Sequence, residues 1–105
     1  MLKMAFCNTQ SLRNKTLLVK DFIAEHEIDL FCIAESWLKW NDQVEIGELE
    51  NNKSRLLMEP RKNRPGGGVA CLASEGLSIE SEGTVSAIHS FEYLITKLKV
   101  KTRTY

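Results

Sequence analysis

No two cysteines in this chain are spaced as Cys-x-x-Cys; Cys7, Cys32 and Cys71 stand singly, each within an apolar run (MAFC, LFCIA, VACLA). An odd count without ligand spacing argues against a disulfide scaffold and against a structural zinc site. The expectation is three reduced thiols buried as small hydrophobes. Long hydrophobic runs are also missing: none reaches the roughly 18 residues of a membrane span. The opening MLKMAFCNTQ turns polar too soon for a signal peptide, so a cytosolic or nuclear protein with no membrane partner is expected. Nor is there an excess of one charge, since 14 Lys and Arg balance 14 Asp and Glu. Overall electrostatics therefore lend nothing to phosphate-backbone binding, and any nucleic-acid contact must rest on local features.

What is present suffices for one domain. The chain has 105 residues, 43% of them apolar and 27% charged. That composition is ordinary for a soluble domain with a core, and too short for two domains. We treat 1–105 as one unit, without repeats or low-complexity segments.

The hydrophobic pattern opens with a strand–helix–strand unit. LKMAFC, residues 2–7, reads as a short buried strand. From Lys15 to His26, Leu18 and Phe22, with Leu17, Val19 and Ile23, recur at three- and four-residue spacings, which predicts a helix. Asn14 is placed to cap its start, and His26 lies near its negative end. LFCIA follows as a continuous apolar run typical of a strand covered on both faces. Short links on either side of a helix make this a βαβ unit with parallel strands. Beyond it, SWLKWNDQVEIGELENNK reads as a loop with at most one helical turn. SRLLMEP and VACLA read as strands around the turn RKNRPGGG. A further short strand is expected at Leu77–Glu80. In FEYLITKLKVKTRTY, Leu94, Leu98 and Val100 alternate with Lys97, Lys99 and Lys101, as in a half-buried strand with a basic, solvated side. A long final strand with nothing after it to cover it suggests a truncated domain.

The βαβ unit makes a geometric prediction. Parallel strands joined by a helix end at the same sheet edge, where ligands bind in such folds. Asn8 follows the first strand and Glu35 the second, so the two should meet there. A carboxylate at that edge suits Mg²⁺, and a neighbouring carboxamide can donate to a phosphate oxygen or orient the carboxylate. From spacing alone, loop starts or turn caps are the commoner reading of Asn8 and Glu35.

Four pieces in order, CNTQSL (Cys7–Leu12), IDLFCIAESWL (Ile28–Leu38), RPGGGVACL (Arg64–Leu72) and FEYL (Phe91–Leu94), span nearly the whole chain. Together they resemble the endonuclease/exonuclease/phosphatase family, the DNase I-like proteins, and especially the apurinic-endonuclease-like domain of non-LTR retrotransposons. The resemblance implies the N-terminal half of a four-layered α/β sandwich, a βαβ unit followed by mainly antiparallel strands. It implies Mg²⁺-dependent cleavage of phosphodiester bonds, with DNA as the substrate of a full-length parent. It also implies that Glu35 is the metal-binding carboxylate and Asn8 the active-site asparagine. Glu92 resembles a family position that in some members pairs with a histidine or tyrosine on the following strand.

The departures bear on activity. The family's Asp-x-Asn and Ser-Asp-His segments do not occur here, and His26 and His89, the two histidines, are expected to be surface groups. Tyr105 stands one strand too early for the family's tyrosine. The expectation is a truncated endonuclease domain, inactive alone. Alternatives are half of a two-chain enzyme, formed with a missing second half or by self-association, and a nucleic-acid or protein-binding module without catalysis. The binding module would use Arg61, Lys62 and Arg64. Pro65–Gly68 lacks the Gly-Lys-Ser/Thr of a P-loop and reads as a turn. Trp37 and Trp40 are expected to pack their loop onto the sheet.

Overall fold

The strand formed by Leu30–Ala34 organises the molecule, because all five of its residues find cover. In the computed structural model, which describes residues 2–50, 54–61, 66–81, 94 and 96–100, this strand is β2. The order is β1 (Met4–Asn8), α1 (Thr16–His26), β2, α2 (Gln43–Leu49), β3 (Ser54–Glu59), β4 (Val69–Ser74), β5 (Leu77–Ser81) and β6 (Thr96–Val100). One sheet runs β1-β2-β4-β3, and β5 and β6 form a second. β1 and β2 are parallel, as the βαβ pattern predicts, and β4 is antiparallel to both β2 and β3. The protein is mixed α/β.

Alternation along β2 divides the core in two. Phe31 and Ile33 join Val19, Leu49, Leu56 and Leu72 on the helix-covered face. Leu30 and Cys32 pack with Cys71, Ala73 and Ile79 on the face covered by β5. A strand buried on both faces needs an unbroken apolar run, which LFCIA provides.

Several expectations need correction. β1 is not a buried strand: it lies at the sheet edge, with Met4 and Phe6 exposed and Ala5 and Cys7 half-buried. One apolar face of a strand is enough to hold it against β2, so its apolar run does not imply cover on both sides. Helix α1 occupies the predicted span but turns Thr16, Val19 and Ile23 inward, leaving Leu17, Leu18 and Phe22 exposed. Its start is Lys15, with no side-chain cap, because Asn14 sits in a left-handed turn at φ 65°. The helix ends as glutamate rarely permits: Glu27 takes φ 54°, so that Ile28 N–H reaches the Ile23 carbonyl at 3.0 Å.

The stretch after Glu35 is more ordered than its polarity suggests, since Gln43–Leu49 forms two turns of helix with Leu49 buried. Cys7 and Cys32 are half-buried and Cys71 buried, all as free thiols. Leu77–Glu80 is strand, extended by one residue, and Leu94 packs on the second cluster while Leu98 is exposed. Among the described residues no helix is long and apolar enough to cross a membrane.

The buried Ile33 and the exposed Leu18 predict different responses. Ile33→Ala should cost about 2–5 kcal/mol by leaving a cavity, whereas Leu18→Lys should stay within about 0.5 kcal/mol. Urea unfolding of the two variants checks this, and equal losses would contradict the assignment of faces.

Candidate functional site

Parallel pairing sets Asn8 opposite Ala34, so the first residues beyond β2 lie beside the end of β1. There the Asn8 carboxamide N–H donates to a carboxylate oxygen of Glu35. The Asn8 Oδ1 is itself held, accepting from the Gln10 N–H at 3.2 Å. That bond fixes which way the carboxamide points. The sequence therefore places both residues of the expected pair, and the structure brings them together.

The chain around Glu35 is held from both sides. From the loop after β1, Ser11 N–H donates to the Glu35 carbonyl and Leu12 N–H to the Ser36 carbonyl, both at 2.8 Å. The Thr9 hydroxyl adds a second bond to the Glu35 carbonyl at 3.1 Å. On the other side, Ser36 N–H donates to the Gly68 carbonyl at 3.1 Å and Trp37 N–H to the Gly67 carbonyl at 2.7 Å. Leu12 and Leu38, both 0% exposed, anchor the two loops in the core. Glu35 and Trp37 pay for this arrangement with left-handed backbone, at φ 51° and 58°.

The glycines before β4 make the second half of the clamp possible. Gly68, at φ +85°, approaches so closely that a Cβ would stand 3.0 Å from the Ser36 hydroxyl. Gly66 lies under the Trp37 indole and the Arg61 guanidinium, and a Cβ on Gly67 would overlap that guanidinium. The Pro/Gly stretch is thus a turn, as its sequence suggests, and also a bed for side chains.

Arg61 rests over this turn, and its carbonyl accepts from the Lys39 ammonium. Its candidate partners in nucleic-acid binding, Lys62 and Arg64, lie outside the described residues, as do Glu92, His89 and Tyr105. His26 is exposed in the last turn of α1 with its ring 4.4 Å from that of Phe22. The expected packing of the two indoles onto the sheet is not what the structure shows: Trp37 lies over Gly66 of the turn and is 38% exposed, and Trp40 is 64% exposed. Arg13 and Asp42 join the two loops through a surface ion pair at 3.3 Å. Such a pair contributes at most about 1 kcal/mol.

Glu35 forms no ion pair with a cationic side chain among the described residues. The Asn8 carboxamide turns its oxygen to Gln10 and its N–H to Glu35, leaving the two Glu35 carboxylate oxygens as hard donors of the kind Mg²⁺ takes. They fit that ion in kind, while their number is low: among the described residues no three His, Cys, Asp or Glu side chains gather into a metal site. Beside Asn8, Phe6, Leu18, Phe22 and Phe31 line an open apolar groove of about 420 Å³.

Sequence reasoning found the pair but missed its support. Thr9, Ser36 and the loop leucines lie within the CNTQSL and IDLFCIAESWL pieces, but their residue types gave them no role there. The leucine within each loop, Leu12 and Leu38, is the further signal that could have found the support.

No family model, no curated protein and no solved structure matches the chain.

The clamp predicts different fates for two glycines. Gly68→Ala forces a β-carbon into left-handed backbone against Ser36, and should destabilise by at least about 1–2 kcal/mol. Gly47→Ala, in α2 with open space around it, should gain about 0.5–1 kcal/mol. Thermal unfolding of both variants tests the contrast, and a neutral Gly68→Ala would contradict the close approach.

Proposed function

We propose that the chain is the front half of a Mg²⁺-dependent, nuclease-type domain of the DNase I-like α/β sandwich, and that by itself it binds at the phosphodiester site without cleaving. The observation that carries this reading is the Asn8–Glu35 hydrogen bond at the carboxyl ends of two parallel strands, on a backbone clamped from both sides. The resemblance of the four sequence pieces, especially to the retrotransposon-type endonucleases, is what suggests the family.

Within that reading Glu35 would hold Mg²⁺, with water and substrate phosphate completing its shell. The ion would polarise a phosphoryl oxygen. Asn8 is the positioning residue. Its carboxamide N–H fixes one Glu35 oxygen, and its own orientation is set by Gln10. The Thr9 and Ser11 bonds to the Glu35 carbonyl keep the carboxylate from following the loop when charge arrives.

Cleavage asks for more. A positioned general acid or base contributes roughly 10²–10⁴ in rate, and the sequence contains neither the Asp-x-Asn nor the Ser-Asp-His segment that supplies these groups in the family. With Glu35 committed to the ion, one carboxylate and one carboxamide can orient a phosphodiester but leave no second group to take a proton from water or to protonate the leaving oxygen. In a full-length parent the product would be nicked DNA with a 3′-hydroxyl.

Two measurements on the purified chain test the reading. Supercoiled plasmid with Mg²⁺ should remain unnicked by the chain and by Glu35→Ala alike. In an NMR titration, Mg²⁺ with a short DNA oligonucleotide should shift the Asn8 and Glu35 resonances, and Glu35→Ala should abolish the Asn8 response. Nicking that Glu35→Ala removes would overturn the claim of incompetence. No metal-dependent change at either residue would overturn the site itself.

A further inference from the structure

Cys32 and Cys71 face each other across β2 and β4 as a register pair. The phase of that ladder is fixed by Ser74 N–H, which donates to the Asp29 carbonyl directly opposite at 2.9 Å. Hydrogen-bonded and non-hydrogen-bonded pairs alternate in antiparallel sheets. Counting along the register from Asp29/Ser74 makes Phe31/Leu72 hydrogen-bonded and Cys32/Cys71 non-hydrogen-bonded. Pairs of the second kind have Cα atoms about 4.5 Å apart, within the roughly 4.4–6.8 Å that a disulfide spans. Both side chains lie in the same packed cluster, under β5. Cys7 cannot compete for either: it pairs with Ile33 and packs on the helix-covered face, whereas Cys32 and Cys71 share the face under β5.

We propose that Cys32 and Cys71 are an oxidisable pair, which a small-molecule disulfide such as oxidised glutathione converts reversibly into a Cys32–Cys71 disulfide joining β2 to β4. Half-buried Cys32 is the point of entry, since Cys71 is only 4% exposed. Its thiolate attacks one sulfur of the glutathione disulfide. One glutathione leaves as a thiolate and takes up the proton that Cys32 gave to solvent. The Cys71 sulfur then attacks the Cys32 sulfur, giving up its own proton and releasing the second glutathione. Two protein thiols lose two electrons and two protons, and the glutathione disulfide gains them.

Burial raises the Cys71 thiol from an ordinary 9.0 to about 12, with the neighbouring Cys32 adding to the shift and a hydrogen bond from Thr96 opposing it. Cys71 is therefore protonated at neutral pH, and the second step is the slow one. The new bond would fix the ladder just before Glu35 on one strand and just after Gly68 on the other. The pair does not depend on the proposed cation site.

The test is to incubate the reduced, folded chain with oxidised glutathione, quench with acid, alkylate the remaining thiols and map the peptides. The expected result is loss of the mass of two hydrogen atoms, one cross-linked species joining the Cys32 and Cys71 peptides, and an alkylated Cys7. Reduced glutathione should reverse it, and Cys7→Ser should behave the same. In urea the linkages should spread to Cys7, because only the fold selects the pair. A lasting glutathione adduct on Cys32 without the cross-link, linkages to Cys7 in the folded chain, or the same linkage pattern in urea would each overturn the proposal. Mapping the unmodified sequence avoids reliance on a Cys71 variant that fails to fold.

Discussion

The candidate site depends on one backbone constraint: Glu35, Ser36 and Trp37 are hydrogen-bonded on one side to the loop after β1 and on the other to Gly67 and Gly68. A carboxylate at the end of a strand is ordinarily free to follow its loop. Here the carbonyls of Glu35 and Ser36 and the amides of Ser36 and Trp37 are all committed. The left-handed backbone at Glu35 and Trp37 is the strain this requires, and the buried leucines on either side over-determine it. A side chain held in this way can meet a ligand without first losing the freedom of its backbone.

The clamp in turn rests on β2. Because that strand is buried on both faces, its end is fixed against the helix layer and the second sheet together. Its neighbours then decide what gathers at its end: the parallel β1 brings Asn8, and the antiparallel β4 brings the glycine turn. The same strand brings Cys32 against Cys71 on the opposite face from Cys7. The candidate site and the thiol pair are two consequences of one central strand with mixed neighbours.

Much of this was legible in the sequence, for definite reasons. A continuous apolar run marked β2, and the helical spacing before it implied a parallel β1. From these two facts alone Asn8 and Glu35 had to converge. The failures are equally physical. Exposure of Met4 and Phe6 could not be read, because an apolar strand shows no sign of being at an edge. The inward stripe of α1, Thr16–Val19–Ile23, competes with a more hydrophobic stripe, Leu18–Phe22, that faces outward. The short helix α2 contains Gly47 and a single fully buried residue, Leu49, which is too little periodicity to detect. The clamp itself is made of backbone amides and carbonyls, which leave no trace in residue type beyond the three glycines that make room for it.

Amide hydrogen exchange at Ser11, Leu12, Ser36 and Trp37 tests the central constraint most directly. These four residues lie in loops, yet their amides should exchange about as slowly as those of β2, since opening them requires breaking the clamp and lifting Leu12 and Leu38 from the core. Exchange at the rate of an open loop would mean that Glu35 is not held, and would contradict the account of the site.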